Sequence, residues 1–153
     1  MSHTINYRPL MVLRLATSAT QEIGSTAQGT LTIFPVTGGS FEGERLRGKV
    51  LAGGGDWVTA HGNGTFTLDL RITLETDDGA LIDMRFFGLR HGPPEVIDAV
   101  GRGEVVDPAK YYFRTLPKFE TSAEKYAYLN RIISVSVSEF RPDGAAHRIE
   151  EIL

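Results

Sequence analysis

The sequence predicts an all-β protein: a single antiparallel β-barrel of eight or nine strands with two short helices. Three observations carry this. Apolar residues recur with a period of two over most of the chain, as in strands whose side chains alternate between the faces of a sheet. Glycine (17) and proline (7) fall in discrete clusters between these runs, which is the spacing of turns. The 153 residues amount to one domain, at roughly 100–200 residues each. A closed barrel is preferred because closure removes the unpaired edges of long strands; a sandwich is the alternative.

The elements follow from this frame. Thr65–Glu75 alternates strictly, with Phe66, Leu68, Leu70, Ile72 and Leu74 on one face. Such a strand spans roughly 35 Å. Thr76–Gly79, TDDG, is a turn signal, and Ala80–Leu89 follows with Ile82, Met84 and Phe86 in alternation, completing a hairpin. Further strands are expected at Leu10–Thr17, Gly29–Val36, Arg45–Leu51, Trp57–His61, Tyr111–Leu116 (stopping at Pro117), Arg131–Phe140 and Ala146–Leu153. In Arg131–Phe140, Ile133, Val135 and Val137 alternate with Ser134, Ser136 and Ser138. Two segments read as helices. Pro93–Val100 carries proline in its first turn and glycine after it. Thr121–Arg131 opens with Thr121 and has Glu124 three residues on, a capping-box pattern.

Composition narrows the function. Lys plus Arg is 16 and Asp plus Glu 19, for a net charge of −3, so nothing global draws the chain to nucleic acid or anionic membrane. Arginine is spread among carboxylates, and no basic run interleaves with aromatics. Cysteine is absent, which removes disulfides, thiolate metal sites and cysteine nucleophiles. Met1–Leu10 has no basic start and apolar core of a leader, and no stretch approaches the ~20 apolar residues of a membrane helix. The expected setting is cytoplasmic. His3, His61, His91 and His147 share no ligand spacing, so no metal is expected. Nucleotide and hydrolase motifs are also missing: Gly53-Gly54-Gly55-Asp56-Trp57 lacks a third glycine at the right spacing and a following helix, so no cofactor is expected.

In a small barrel, the candidates for chemistry are polar residues near strand ends. Asp56 and Trp57 follow three glycines; a carboxylate beside an indole in a barrel mouth is desolvated, its pKa rises, and it suits proton transfer. The alternative is a turn-capping Asp and a plugging Trp. Tyr112 and Arg114 share one strand face. Arg114 is suited to hold an oxyanion and Tyr112 to donate to it, unless that face is outward. Glu120, Tyr126 and Asn130 flank the second helix, and either orient a polar substrate or brace the helix. Arg71 alternates with an apolar row and meets solvent if that row is inside; otherwise it anchors an anion.

Several motifs together resemble one family: Gly38-Gly39-Ser40-Phe41-Glu42-Gly43, Leu46-Arg47-Gly48-Lys49-Val50-Leu51, Gly55-Asp56-Trp57, Leu68-Asp69-Leu70-Arg71, Thr76–Ile82, Tyr112-Phe113-Arg114-Thr115, Phe119-Glu120-Thr121 and Tyr126–Arg131. In this order they are similar to the domain-of-unknown-function 3237 family, over nearly the whole chain. The family pattern has Trp-Leu-Asn where this chain has Tyr128-Leu129-Asn130, a swap that bears on pocket size. The resemblance implies a single small β-barrel and brings no cofactor or metal. By fold-level analogy with allene oxide cyclase-like barrels, it points to cyclisation, isomerisation or hydration.

The expected function is therefore a cofactor-independent enzyme of isomerase, cyclase or hydro-lyase type, acting on a small, partly apolar molecule. Asp56 is its proton-transfer group, Arg114 and Tyr112 its oxyanion holders, and Trp57 and Tyr126 its apolar wall. The rivals are a calycin-like ligand carrier and a solidly filled structural barrel. A homodimer paired through outward aromatics such as Phe87 is expected.

Overall fold

A computed structural model describes residues 3–153; Met1 and Ser2, at the head of the segment read above for a leader, lie outside the described residues. Ten strands are formed: β1 (Tyr7–Thr17), β2 (Gln21–Thr26), β3 (Gly29–Glu42), β4 (Arg47–Val50), β5 (Gly54–Ala60), β6 (Thr65–Thr76), β7 (Leu81–His91), β8 (Tyr112–Glu120), β9 (Ile133–Arg141) and β10 (Gly144–Ile152). They close a circuit of eight antiparallel positions, β1–β10–β9–β8–β7–β6–β5–β3 and back to β1. The short β4 shares with β5 the slot between β3 and β6, and β2 lies on β3 outside the ring. Helix α1 (Pro94–Gly101) links β7 to β8, and a 3-10 helix over Glu124–Arg131 links β8 to β9.

The strict alternation of β6 and β7 becomes their pairing. Leu70 faces Phe86, Ile72 faces Met84 and Leu74 faces Ile82 across the hairpin, and all six side chains are buried. With Leu10, Leu13, Phe41, Phe113 and Ile149 they form one continuous core. Removing apolar surface from water is the main stabilising term. Ile82→Val, which deletes one methylene from a wholly buried site, should cost about 0.5–1.5 kcal/mol, read as a lower urea midpoint with an unchanged m-value.

β3 and β8 each run through a proline, Pro35 and Pro117, without stopping there. Pro35 lies beside the irregularity where β1 shifts register against β3. Pro117 lies where β8 has already parted from β9, whose pairing consists only of Arg114 with Val137 and Thr115 with Ser136. A proline lacks one donor and is tolerated where the ladder has lapsed. Gly39 lets β3 close against β1: its φ is +143°, and a Cβ there would sit 2.1 Å from the Arg14 carbonyl oxygen.

The eight-position ring is the barrel expected; outside it lies a strand not foreseen, the polar β2, which carries no apolar alternation. Other expectations are corrected. The Thr121–Arg131 helix is a 3-10 segment that starts at Glu124, and Thr121 does not cap it as the box predicts. Its hydroxyl instead donates to the Leu81 carbonyl (2.7 Å) and accepts from the Ala123 amide (3.1 Å). In β9 the usual rule is inverted: Ser134, Ser136 and Ser138 are buried, while Ile133 and Val137 are exposed.

The barrel has two unlike ends. At one, Glu151 accepts from Arg8 (2.8 Å) and Arg45 (2.6 Å), Arg45 lies over the Tyr128 ring, and Tyr126 donates to Asp78 (2.8 Å). These contacts close it. The other end, where β7 finishes and β10 begins, holds a cavity.

Candidate active site

Strand parity delivers three ionisable side chains to this cavity. On β5, Asp56 and Val58 point inward while Trp57 points out. On β7, the inward row Ile82, Met84, Phe86 and Gly88 continues to Arg90. On β10, His147 and Ile149 share the inner face. The cavity is about 210 Å³, and Phe34, Val58, Phe113 and Phe140 supply its apolar wall. That is below the usual ~300–1,000 Å³ of ligand pockets, so it suits a small molecule.

The three groups are held in unlike electrical states. Burial pushes the Asp56 carboxyl up to about 7, against the pull of the Arg90 guanidinium. Asp56 as a residue keeps some accessible surface, but its Oδ1 is buried and has no hydrogen-bond partner; the oxygen, not the residue average, governs ionisation. Burial lowers Arg90 to about 10, with Asp56 acting to raise it. The guanidinium lies over Phe66 (4.4 Å) and Phe140 (4.9 Å), and its Nε is likewise buried and unpartnered. His147 is lowered by burial to about 4 and is therefore neutral. Phe86 and Phe113 pack on its ring, and Ser138 Oγ holds Nδ1 at 2.7 Å.

Buried polar atoms are nearly always paired. Here Asp56 and Arg90 line one void, and each holds a buried polar atom, a carboxyl oxygen and a guanidinium nitrogen, that no protein group satisfies. An incoming polar ligand can satisfy both. A carboxyl titrating near neutrality can give or take a proton, and a desolvated guanidinium can stabilise developing negative charge. Among the described residues, no group of three or more His, Asp or Glu is placed to hold a metal ion, and no helix is long and apolar enough to cross a membrane.

Of the residues singled out from the sequence, only Asp56 faces this cavity. Trp57 is its outward neighbour, 38% exposed. Tyr112 and Arg114 do share a face, but it is the outer one. Tyr112 stacks on His91 at 4.8 Å, and Arg114 lies over the Tyr112 ring at 5.0 Å and donates to the Phe113 carbonyl. The shared void expected for Asp56 and Arg114 is thus not formed, because odd and even positions of β8 face opposite sides. Arg71 is on the outer face beside Asp69 (3.7 Å). Glu120 is exposed, 3.9 Å from Arg85. Tyr126 and Asn130 sit at the closed end, where Asn130 braces Thr121 through both its amide and its carbonyl. Arg90 and His147 were missed. The β7 alternation, carried past Leu89, would have found Arg90.

Fold and site define a small closed β-barrel with a compact acid–base cavity at one end. The chain belongs to the family described as "Protein of unknown function (DUF3237)", whose model matches residues 5–152. A UPF0311 protein of Rhodopseudomonas palustris is 31% identical over 153 residues, all of both chains. Among solved structures, a beta-barrel like protein from Acinetobacter baumannii has a TM-score of 0.86 at 35% identity, covering 100% of this chain and 99% of its own. A protein described as an enzyme from Penicillium herquei has a TM-score of 0.75 at 19% identity, covering 100% and 98%; at that distance the likeness is one of fold.

Proposed function

We propose that the protein is a cofactor-independent enzyme that transfers a proton on a small, partly apolar molecule held in the barrel, in an isomerisation, a cyclisation or an addition of water. The observation that carries this is that Asp56 and Arg90 line one cavity and each holds a buried polar atom without a hydrogen-bond partner. Asp56 moves the proton. Arg90 takes the oxyanion role that the sequence reading gave to Arg114. The aromatic wall holds the apolar part of the substrate and keeps water out, which strengthens both effects. That a protein of the same fold is described as an enzyme agrees with this at the level of fold.

The second reading is a calycin-like carrier, favoured by the largely apolar wall. The two are separated by identifying small molecules carried through native purification by mass spectrometry, then incubating each with the protein in D₂O. The enzymatic reading expects deuterium incorporation or a new product, lost in Asp56→Asn. The carrier reading expects the molecule returned unchanged.

A cytoplasmic setting and a homodimer belong to the same proposal. The dimer would use the outer face where Phe87, Leu89 and Leu116 are exposed. Light scattering should then give twice the chain mass at micromolar concentration; a monomer ends that part. Arg114→Gln, a change outside the cavity, should leave turnover within about twofold, in line with surface substitutions generally.

A further inference from the structure

We propose that the molecule taken into the inner cavity is a small carboxylate with a flat apolar body, its charge held by Arg90 beside the Asp56 carboxyl. This rests on the reading of the cavity as the substrate site and names the class of substrate. Its test needs no turnover, so the two can fail separately.

Arg90 is what asks for an anion. Among the described residues it enters no ion pair, and its buried Nε has no hydrogen-bond partner. Arg14, Arg47 and Arg131 also lack an ion pair, but they are exposed and water serves them. Arg90 instead lines a cavity with an aromatic wall. Taking a cation out of water costs several kcal/mol unless an opposite charge meets it. Asp56 shares the cavity, yet the two form no ion pair, and the Asp56 Oδ1 is itself buried and unpartnered. A third group is needed to satisfy both.

The guanidinium also sets the kind of anion. Its carbon lies 4.4 Å from the Phe66 ring centre and 4.9 Å from that of Phe140. Such contacts engage the charge and use none of the N–H donors. Those donors form a planar fork that matches the two oxygens of a carboxylate. A phosphate monoester would bring up to two charges to a single cation. The volume of about 210 Å³ equals about seven waters at ~30 Å³ each, room for one ring or a short chain beyond the carboxylate. Phe34, Phe113 and Phe140 give that body aromatic surface to pack on.

Binding is then tied to a proton. With its proton, Asp56 can donate to the incoming carboxylate; ionised, it repels it. Burial raises this carboxyl to about 7. The other titratable groups around it are Arg90 on β7, His147 on β10 and Asp69 on β6. β1, β3, β8 and β9 give the cavity no titratable side chain. Arg90, at about 10, stays charged and His147, at about 4, stays neutral from pH 6 to pH 8.5, so Asp56 governs the change.

The probes are benzoate and its neutral isostere benzamide, titrated into ¹⁵N-labelled protein by NMR at pH 6 and pH 8.5. At pH 6 benzoate should bind about tenfold or more tightly than benzamide, the worth of a hydrogen bond to a charged group. By pH 8.5 it should weaken by about tenfold or more, while benzamide changes little. Arg90→Met should abolish the preference for benzoate and keep benzamide binding; Asp56→Asn should hold benzoate as tightly at pH 8.5 as at pH 6. Equal affinity for the two probes, benzoate binding indifferent to pH, or tighter binding of phenyl phosphate would overturn the proposal. So would failure of both benzoate and the slimmer sorbate to bind. Should Arg90→Met not fold, the native protein decides with the probes alone. Benzoate bound as expected, with no proton transfer on any carried molecule, keeps the carboxylate site and removes the enzyme.

Discussion

Replacing Asp56 by asparagine should stabilise the protein at pH 8 by about 2–4 kcal/mol while lowering turnover by about 10²- to 10⁴-fold. The stability gain follows from the carboxyl's position, 3.8 in the unfolded chain and about 7 in the fold. Between those values the fold binds more protons than the unfolded chain, so stability falls as pH rises. At 1.36 kcal/mol per tenfold change in proton affinity, the whole gap is worth about 4 kcal/mol above pH 7. The lower end of the range applies because Arg90 loses its countercharge. Asparagine keeps the shape and discards the titration.

The pH dependence makes this prediction specific. His147, lowered from 6.5 to about 4, works with the opposite sign: the unfolded chain gains a proton first as pH falls, so stability rises with pH over that window. Between pH 5 and 8, Asp56 removes and His147 adds about 2–3 kcal/mol each. The two nearly cancel, and the native protein should have a flat profile. Asp56→Asn should uncover the His147 slope, with stability climbing from pH 5 to 7. Urea unfolding at three pH values measures it. No gain at pH 8 in Asp56→Asn means that Asp56 is solvated, and a flat profile in that variant means that His147 is; either result shows that the site is not as described. A group whose ionised form costs stability is the expected trade of stability for function.

Arg90→Met should cost about 10²- to 10³-fold in turnover, the loss seen when one oxyanion-stabilising donor is removed. It should also move the Asp56 titration above 7, because Arg90 holds that carboxyl down. Methionine keeps an apolar stem against Phe66 and Phe140, so packing changes little. The carboxyl ¹³C shift of Asp56 followed against pH reads the second effect without any substrate. An unmoved midpoint would mean that no field from Arg90 reaches Asp56.

Much of this protein was legible in the order of its residues, and the misses have definite causes. The β6–β7 hairpin was clear because both strands bury one face and expose the other. β2 was not, because Gln21–Thr26 lies on β3 outside the ring and buries almost nothing. Asp56 lines the cavity and its neighbour Trp57 does not, since adjacent strand residues face opposite sides. Arg114 was placed inside because an arginine beside aromatics reads equally well on either face. Arg90, four residues past Phe86 on the same face, was overlooked where the strand was ended too soon.

Local sequence decided where the strands are, how they turn and that nothing in the chain ligates through cysteine, because period, turn residues and composition act over a few neighbours. Only the closed barrel decided which alternate face is inside, and in β9 it chose the serines. Inside and outside are properties of curvature and of strands distant in sequence. That is why Asp56, Arg90 and His147, drawn from β5, β7 and β10, meet at a point no stretch of sequence describes.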